Sequence, residues 1–166
     1  MTGAPSVKDL LRMDAAQIAA LYARAATPSL QELDGDYDGT LLRAQILPLR
    51  RTIGLAAVNR PWLPWKGKVF FRTPGARGKG GNRWATWRSA RTIWPFETAV
   101  VPSRFGGGPA VLVDYDVPGN PLWLRRGVFD ELKKLDDGLY LGMGGIGPGG
   151  AGPRRAIAFS WALTRA

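Results

Sequence analysis

The stretch DYDVPGNPLWLRRGVFDELKKLDDGLYLGMGG, residues 114–145, alternates short apolar runs with turn chemistry. Val117-Pro118-Gly119-Asn120-Pro121 reads as a rigid turn, its prolines fixing φ and Gly119 free to take a positive φ. Asp136-Asp137-Gly138 reads as the turn of the next hairpin. LWLRRGVFDELKK and GLYLGMGG then read as strands. The same pattern extends both ways. GDYDGTLLRAQIL, WKGKVFFR, NRWATWRSA, TIWPFETAVV, AVLVDYD and RAIAFSWALTR are strand-like, and TPGARGKGG, PSRFGGGP and GIGPGGAGP are loops between them. Short strands at this spacing predict an antiparallel β-barrel, mainly β, of roughly eight to ten strands. Residues 1–33 depart from it. Val7, Leu10, Leu11, Ile18, Leu21 and Tyr22 recur at helical spacing, with Asp14 as N-cap of a second piece. We therefore expect an N-terminal helical segment, 1–33, outside or capping a barrel of 34–166, in one domain. A further short helix is expected within LRRTIGLAAVNR, closed by Pro61.

The period of two sorts the strand faces. Ile157, Phe159, Trp161 and Leu163 alternate with Ala158, Ser160 and Ala162. Val111, Val113 and Tyr115 oppose Leu112, Asp114 and Asp116, while Leu139, Leu141 and Met143 oppose Tyr140 and two glycines. In GVFDELKK, Asp130 shares a row with Val128 and Leu132, which places a carboxylate inside. The opposite assignment puts Phe129 in and Asp130 out. Asp114 and Asp116 make an i, i+2 carboxylate pair, but a single pair lacks the ligands calcium requires, so they read as hairpin wiring.

The chain has 166 residues, 45% of them hydrophobic, with no cysteine and no histidine. Disulfides, thiolate nucleophiles, His-containing triads and catalytic zinc are thereby excluded, and no cofactor or metal is expected. No apolar run approaches the roughly 20 residues of a membrane-spanning helix. MTGAPSVKDLLRMDAAQIAA lacks the basic and continuous apolar regions of a signal peptide, so we expect a cytoplasmic protein. The glycine-rich runs do not have the spacing of phosphate-binding loops.

The net charge is +10, and from Arg43 to Arg91 there are twelve Lys or Arg and no Asp or Glu. Trp62, Trp65, Trp84 and Trp87 lie in the same segment. Basic residues interleaved with aromatics suit nucleic acid or another anionic surface. They equally suit a solvated arginine-rich face, which we favour.

Gly35-Asp-Tyr37-Asp-Gly39 sets an aromatic between two bare positions on one strand face, and Trp65-Lys-Gly67-Lys68-Val-Phe70 follows. With Tyr115-Asp116…Pro118 and LDDGLYLGMGG, these motifs resemble the GXWXG-type proteins, a bacterial group, over about three-quarters of the chain. Tyr37 stands where that family has tryptophan. The resemblance implies a lipocalin-like or fatty-acid-binding-protein-like (calycin-like) barrel and carries over no activity.

A small barrel encloses side chains or one small ligand. Tyr37, Tyr115, Asp130 and Lys68 are polar residues in otherwise apolar rows, with Arg125 on the strand before Asp130 and Trp161 in the terminal strand. A buried Asp130 needs a basic partner, Lys68 or Arg125. Such a group orients the polar end of a small hydrophobic or amphipathic molecule, or closes the barrel as a salt bridge. It also supplies, through Tyr37, Tyr115 and Asp130, the acid–base residues of a cofactor-free isomerase, cyclase or lyase.

Overall fold

The computed structural model describes residues 5–46, 51–55, 64–85, 89–147 and 157–166. The element order is α1 (Val7–Arg12), α2 (Ala15–Arg24), β1 (Gly35–Ile46), β2 (Arg51–Gly54), β3 (Trp65–Phe71) and β4 (Gly78–Ala85). It continues with β5 (Ala90–Pro102), β6 (Pro109–Asp114), α3 (Leu122–Gly127), β7 (Val128–Asp136), β8 (Leu139–Ile146) and β9 (Ile157–Arg165). Every strand pairing is antiparallel. The order runs β1-β3-β4-β5-β6-β7-β8-β9, and β9 pairs back onto β1, closing an eight-stranded barrel. β2 extends the β1 edge beyond β3.

Two capping boxes start the helices: Ser6 with Asp9, and Asp14 with Gln17. Leu10, Ile18 and Tyr22 then bury against the outer row Leu42, Ala110, Leu139, Leu141 and Ala162. The helical segment therefore packs outside the barrel, and both faces of β8 and β9 are covered. The inner core is Tyr37, Phe70, Phe96, Val111, Val113, Leu132, Tyr140, Trp161 and Leu163 with their neighbours. Val111 with Val113, and Trp161 with Leu163, share the faces that the period of two predicts, whereas in β8 it is Tyr140 that points in and Leu139 and Leu141 that point out.

Two expectations need correction. Arg51–Gly54, expected to be helical, is strand β2, paired Arg43↔Gly54 to Ile46↔Arg51; residues 49, 50 and 56–60 of that expectation lie outside the described residues. Leu122–Gly127, expected to be a strand, is helix α3. Pro121 precedes it, its carbonyl accepting from the Leu124 and Arg125 amides, and Leu124 alone is buried. Local helix propensity prevails because this segment has no strand partner. The strand begins at Val128.

Glycines expected in a loop also turn out to be wall. Gly78 to Gly81 belong to β4, where a methyl group would overlap Thr98, Phe96 or Thr92 of β5. In β8 a methyl at Gly142 would enter the Trp161 ring, and one at Gly144 would meet Asp130 Oδ1 and Phe159. These gaps let large inward side chains lie flat on the strands. Gly119 (φ 95°) and Gly138 (φ 73°) take the positive φ expected of their turns.

Candidate functional site

β3 and β7 are four strands apart in an eight-stranded closed wall, so they face each other across the barrel. Lys68 of β3 spans that distance. Its Nζ donates to Asp130 Oδ2 at 2.9 Å, to Tyr115 OH at 2.6 Å and to Asn82 Oδ1 at 3.2 Å. Tyr115 OH donates to the same Asp130 oxygen at 2.9 Å. Asn82, the cross-strand neighbour of Lys68, also accepts from Trp65 Nε1 at 3.1 Å. Lys68 and Asp130 are 2% and 3% exposed, so this ion pair is held in the interior. The rings of Phe96, Tyr115 and Trp161 surround the ammonium at 5.3, 5.2 and 5.0 Å from their centroids.

This polar group borders a cavity of about 360 Å³. Trp65, Trp84, Trp94 and Trp123 supply its aromatic wall. Leu41, Leu124, Val128, Ile146, Phe159 and Trp161 complete the apolar lining. Trp94 meets Trp84 and Trp123 edge-to-face, at 5.0 and 5.7 Å between centroids. Its φ of 51° is the one positive value among the described non-glycine residues. It lies where the β4–β5 register shifts between Gly80↔Phe96 and Asn82↔Ile93. That bulge aims the indole at the cavity.

The structure thus joins four of the six expected residues: Lys68, Tyr115, Asp130 and Trp161 all line the cavity. Tyr37 is inward and pairs across β1 and β3 with Lys68, but its ring lies edge-on to Phe70 and Tyr140 and it does not line the cavity. Its hydroxyl donates to Glu32 O and accepts from Arg165 Nη2. It therefore closes the barrel's end. Arg125 lies on α3, and its guanidinium pairs with Asp116 at 2.7 Å, not with Asp130. Asp114 Oδ1 accepts from the Asp116 amide at 2.9 Å and Asp116 pairs with Arg125, so the two carboxylates wire the turn, which joins β6 to α3 and not to a hairpin partner.

Asn82, Trp94 and Trp123 were not anticipated. Asn82 has a parity signal, since it shares a strand face with Trp84; Trp94 has none, because a bulge breaks the alternation. Trp65 and Trp84, expected among basic residues on a surface, line the cavity instead. Arg77 pairs with Glu97, and Arg83 with Asp36 and Asp38. Trp62, Trp87 and Arg88 lie outside the described residues. A second buried polar group lies on the outer face of β7. Glu131 accepts from Tyr22 OH, Ser103 Oγ and the Arg104 amide, tying α2 and the 103–108 loop to the wall.

Among the described residues no group of three or more His, Cys, Asp or Glu could hold a metal, and no helix is long and apolar enough to cross a membrane. No family model matches the chain, and comparison with curated proteins finds no match.

Burial pushes the phenols of Tyr115, Tyr22 and Tyr140 upward, reinforced by nearby acidic or phenolic groups: Asp130, Glu131 and Tyr37 respectively. The native state keeps three protons that the unfolded chain releases near pH 10, so these groups lose their stabilising effect as pH rises beyond that point. Burial lowers Lys68 and Lys133 against the pull of Asp130 and Glu131. Their contribution has the opposite sign and is complete once the unfolded lysines have titrated near pH 10.4. Urea midpoints should therefore fall steeply above about pH 10.5, with phenolate absorbance appearing together with unfolding. Three tyrosines titrating in the folded protein before any loss of structure would contradict this burial.

Proposed function

We propose that this chain is a cytoplasmic small-molecule-binding barrel, holding a hydrophobic or amphipathic ligand against the tryptophan wall with its polar end on the Lys68–Asp130 floor. The observation that carries this reading is the cavity itself. Its volume lies in the usual range for small-ligand pockets, and its lining is apolar except for one convergent polar group. An enclosed ion pair is weak support for stability as such, since apolar residues of equal volume serve as well, so its retention beside a cavity favours a binding role. The similarity of the G-x-Y-x-G and W-x-G-K-x-F segments to GXWXG-type proteins belongs to the same proposal. Gly67 (φ 132°) and Gly39 are sites where a side chain would collide with β1 and with Trp65, so the motif's glycines shape this end of the barrel.

Nile red, a neutral fluorophore, should brighten and shift to the blue when mixed with the purified protein. Val128→Trp, which fills the cavity from the start of β7, should remove that response without lowering the urea midpoint. An unchanged response in Val128→Trp would place the dye elsewhere and sink the reading.

One observation favours a catalytic alternative, a cofactor-free isomerase, cyclase or lyase. Tyr115 and Lys68 share one oxygen of Asp130, the phenol held protonated and the ammonium made easier to deprotonate, as an acid–base pair requires. A ligand recovered from the protein with unchanged mass and connectivity would count against it. The nucleic-acid alternative loses the stacking surface of Trp65 and Trp84, which line the cavity.

A further inference from the structure

We propose that the open end of the barrel docks on an anionic phospholipid surface through Leu122, Trp123 and Arg126, so that an apolar ligand passes directly between bilayer and cavity. The docking stands by itself, and the passage of ligand rests on the cavity being a ligand site.

Five large apolar side chains stand exposed among the described residues, and three of them, Leu122, Trp123 and Ile146, gather where the cavity opens. Trp123 and Ile146 line the cavity yet are 56% and 41% exposed, so they form its rim. The end of α3 is fixed beside Ile146: the Gly147 amide donates to Gly127 O at 2.9 Å, and Val128 pairs with Ile146. Leu124 anchors the helix inward, which turns Leu122 and Trp123 out. Helical residues three and four apart are neighbours, so Arg126 stands beside both. Such a trio suits a lipid–water boundary. The leucine and indole enter the acyl edge, while the guanidinium on its apolar stem stays among the phosphates.

Charge at this end is one-sided. Arg91 and Arg126 are exposed and enter no ion pair with a described residue. Arg91 is the cross-strand partner of Trp84, a lining residue. Asp116 is taken by Arg125. The exposed carboxylates Asp34, Asp36, Asp136 and Asp137 lie at the opposite end, where β1 begins and β7 turns into β8. A second copy of the chain is a poorer occupant, since it brings the same +10 charge. Three side chains also fall well short of the roughly 800 Å² per partner of a stable protein interface. Nucleic acid would use the arginines and leave Leu122 and Ile146 uncovered.

Co-sedimentation of the full chain with vesicles tests the docking. Phosphatidylcholine mixed two to one with phosphatidylglycerol should bind the protein about tenfold or more better than phosphatidylcholine alone. Leu122→Ser and Arg126→Glu should each weaken that binding by about tenfold, at an unchanged urea midpoint because both side chains are exposed. Lys79→Glu makes the same change of charge at the closed end, where Lys79 pairs with Phe71, and should stay within about twofold of the parent. Equal losses in Lys79→Glu and Arg126→Glu would mean diffuse attraction of a basic protein and overturn the proposal. Equal binding to the two vesicles overturns it too, as does a dimer in lipid-free solution that Leu122→Ser dissociates. Release of bound Nile red should quicken with vesicle concentration in the parent and lose that dependence in Leu122→Ser. A parent rate independent of vesicle concentration means release through water and sinks the direct passage. Absence of vesicle binding overturns the docking and leaves the ligand site standing, because Nile red reports on that site in lipid-free solution.

Discussion

Asp130→Ala should destabilise the protein by about 3–5 kcal/mol, because it leaves the Lys68 ammonium alone inside the barrel. Lys68 is 2% exposed and bridges opposite walls. Its remaining partners, Asn82 Oδ1 and Tyr115 OH, carry no charge. Lys68→Met should be comparably harmful, since Asp130 would then keep only the Tyr115 proton as a partner. The double variant Lys68→Met/Asp130→Leu removes both charges and restores volume, so it should lie within about 1–2 kcal/mol of the parent. Urea midpoints of the four proteins form a double-mutant cycle. If the single losses simply add in the double variant, the two groups are not a desolvated pair.

That pair was half legible in the sequence. Alternation along Val128, Asp130 and Leu132 places the carboxylate inward, and the position of Lys68 in W-K-G-K-V-F supplies its partner. Arg125 is an equal candidate in the sequence only because LWLRRGVFDELKK has the pattern of one strand continuous through Asp130. A helix rotates successive side chains by about 100° where a strand alternates them, so Pro121 and the turn it starts remove Arg125 from the row. Tyr37 shows another limit. Parity gives the correct side of the wall, and the register sets Tyr37 opposite Lys68, but neither gives the direction the side chain takes along the barrel: its ring turns to Phe70 and Tyr140 and its hydroxyl to Arg165.

Composition misleads for Trp65 and Trp84, and parity alone misses the burial of Glu131 and Lys133. Basic residues dominate the composition of 43–91, and this draws Trp65 and Trp84 into a surface reading. The strand face, not the neighbouring charges, decides where an indole goes. Glu131 and Lys133 do point outward, as their parity says, yet both are fully buried beneath the 103–108 loop and α2. Outside the barrel is not the same as in water once an amphipathic helix covers the wall. Tertiary docking makes that burial tolerable: Tyr22, Ser103 and the Arg104 amide donate to Glu131, and Lys133 donates to the Gly106 and Gly107 carbonyls.

Trp161→Ala should cost about 3–5 kcal/mol, while Ser160→Ala, one residue away, should be neutral or stabilising by up to about 1 kcal/mol. The two positions share a strand and differ in face. Trp161 is 1% exposed, lies across Gly142 of β8 and holds its ring 5.0 Å from the Lys68 ammonium. Truncation removes core contacts and opens the ion pair to an enlarged cavity that no neighbouring strand can collapse to fill. Ser160 lines the groove between α2 and the outer wall, with Ile18, Ala19 and Met143. Its Oγ is buried without a hydrogen-bond partner among the described residues. Replacing it with a methyl group therefore discards an unsatisfied polar atom at little loss of packing. Trp161→Phe should fall between the two, since it keeps a ring over Gly142. A strand shifted by one residue would exchange the two faces, so comparable losses at 160 and 161 would refute the β9 register and the cavity floor built on it.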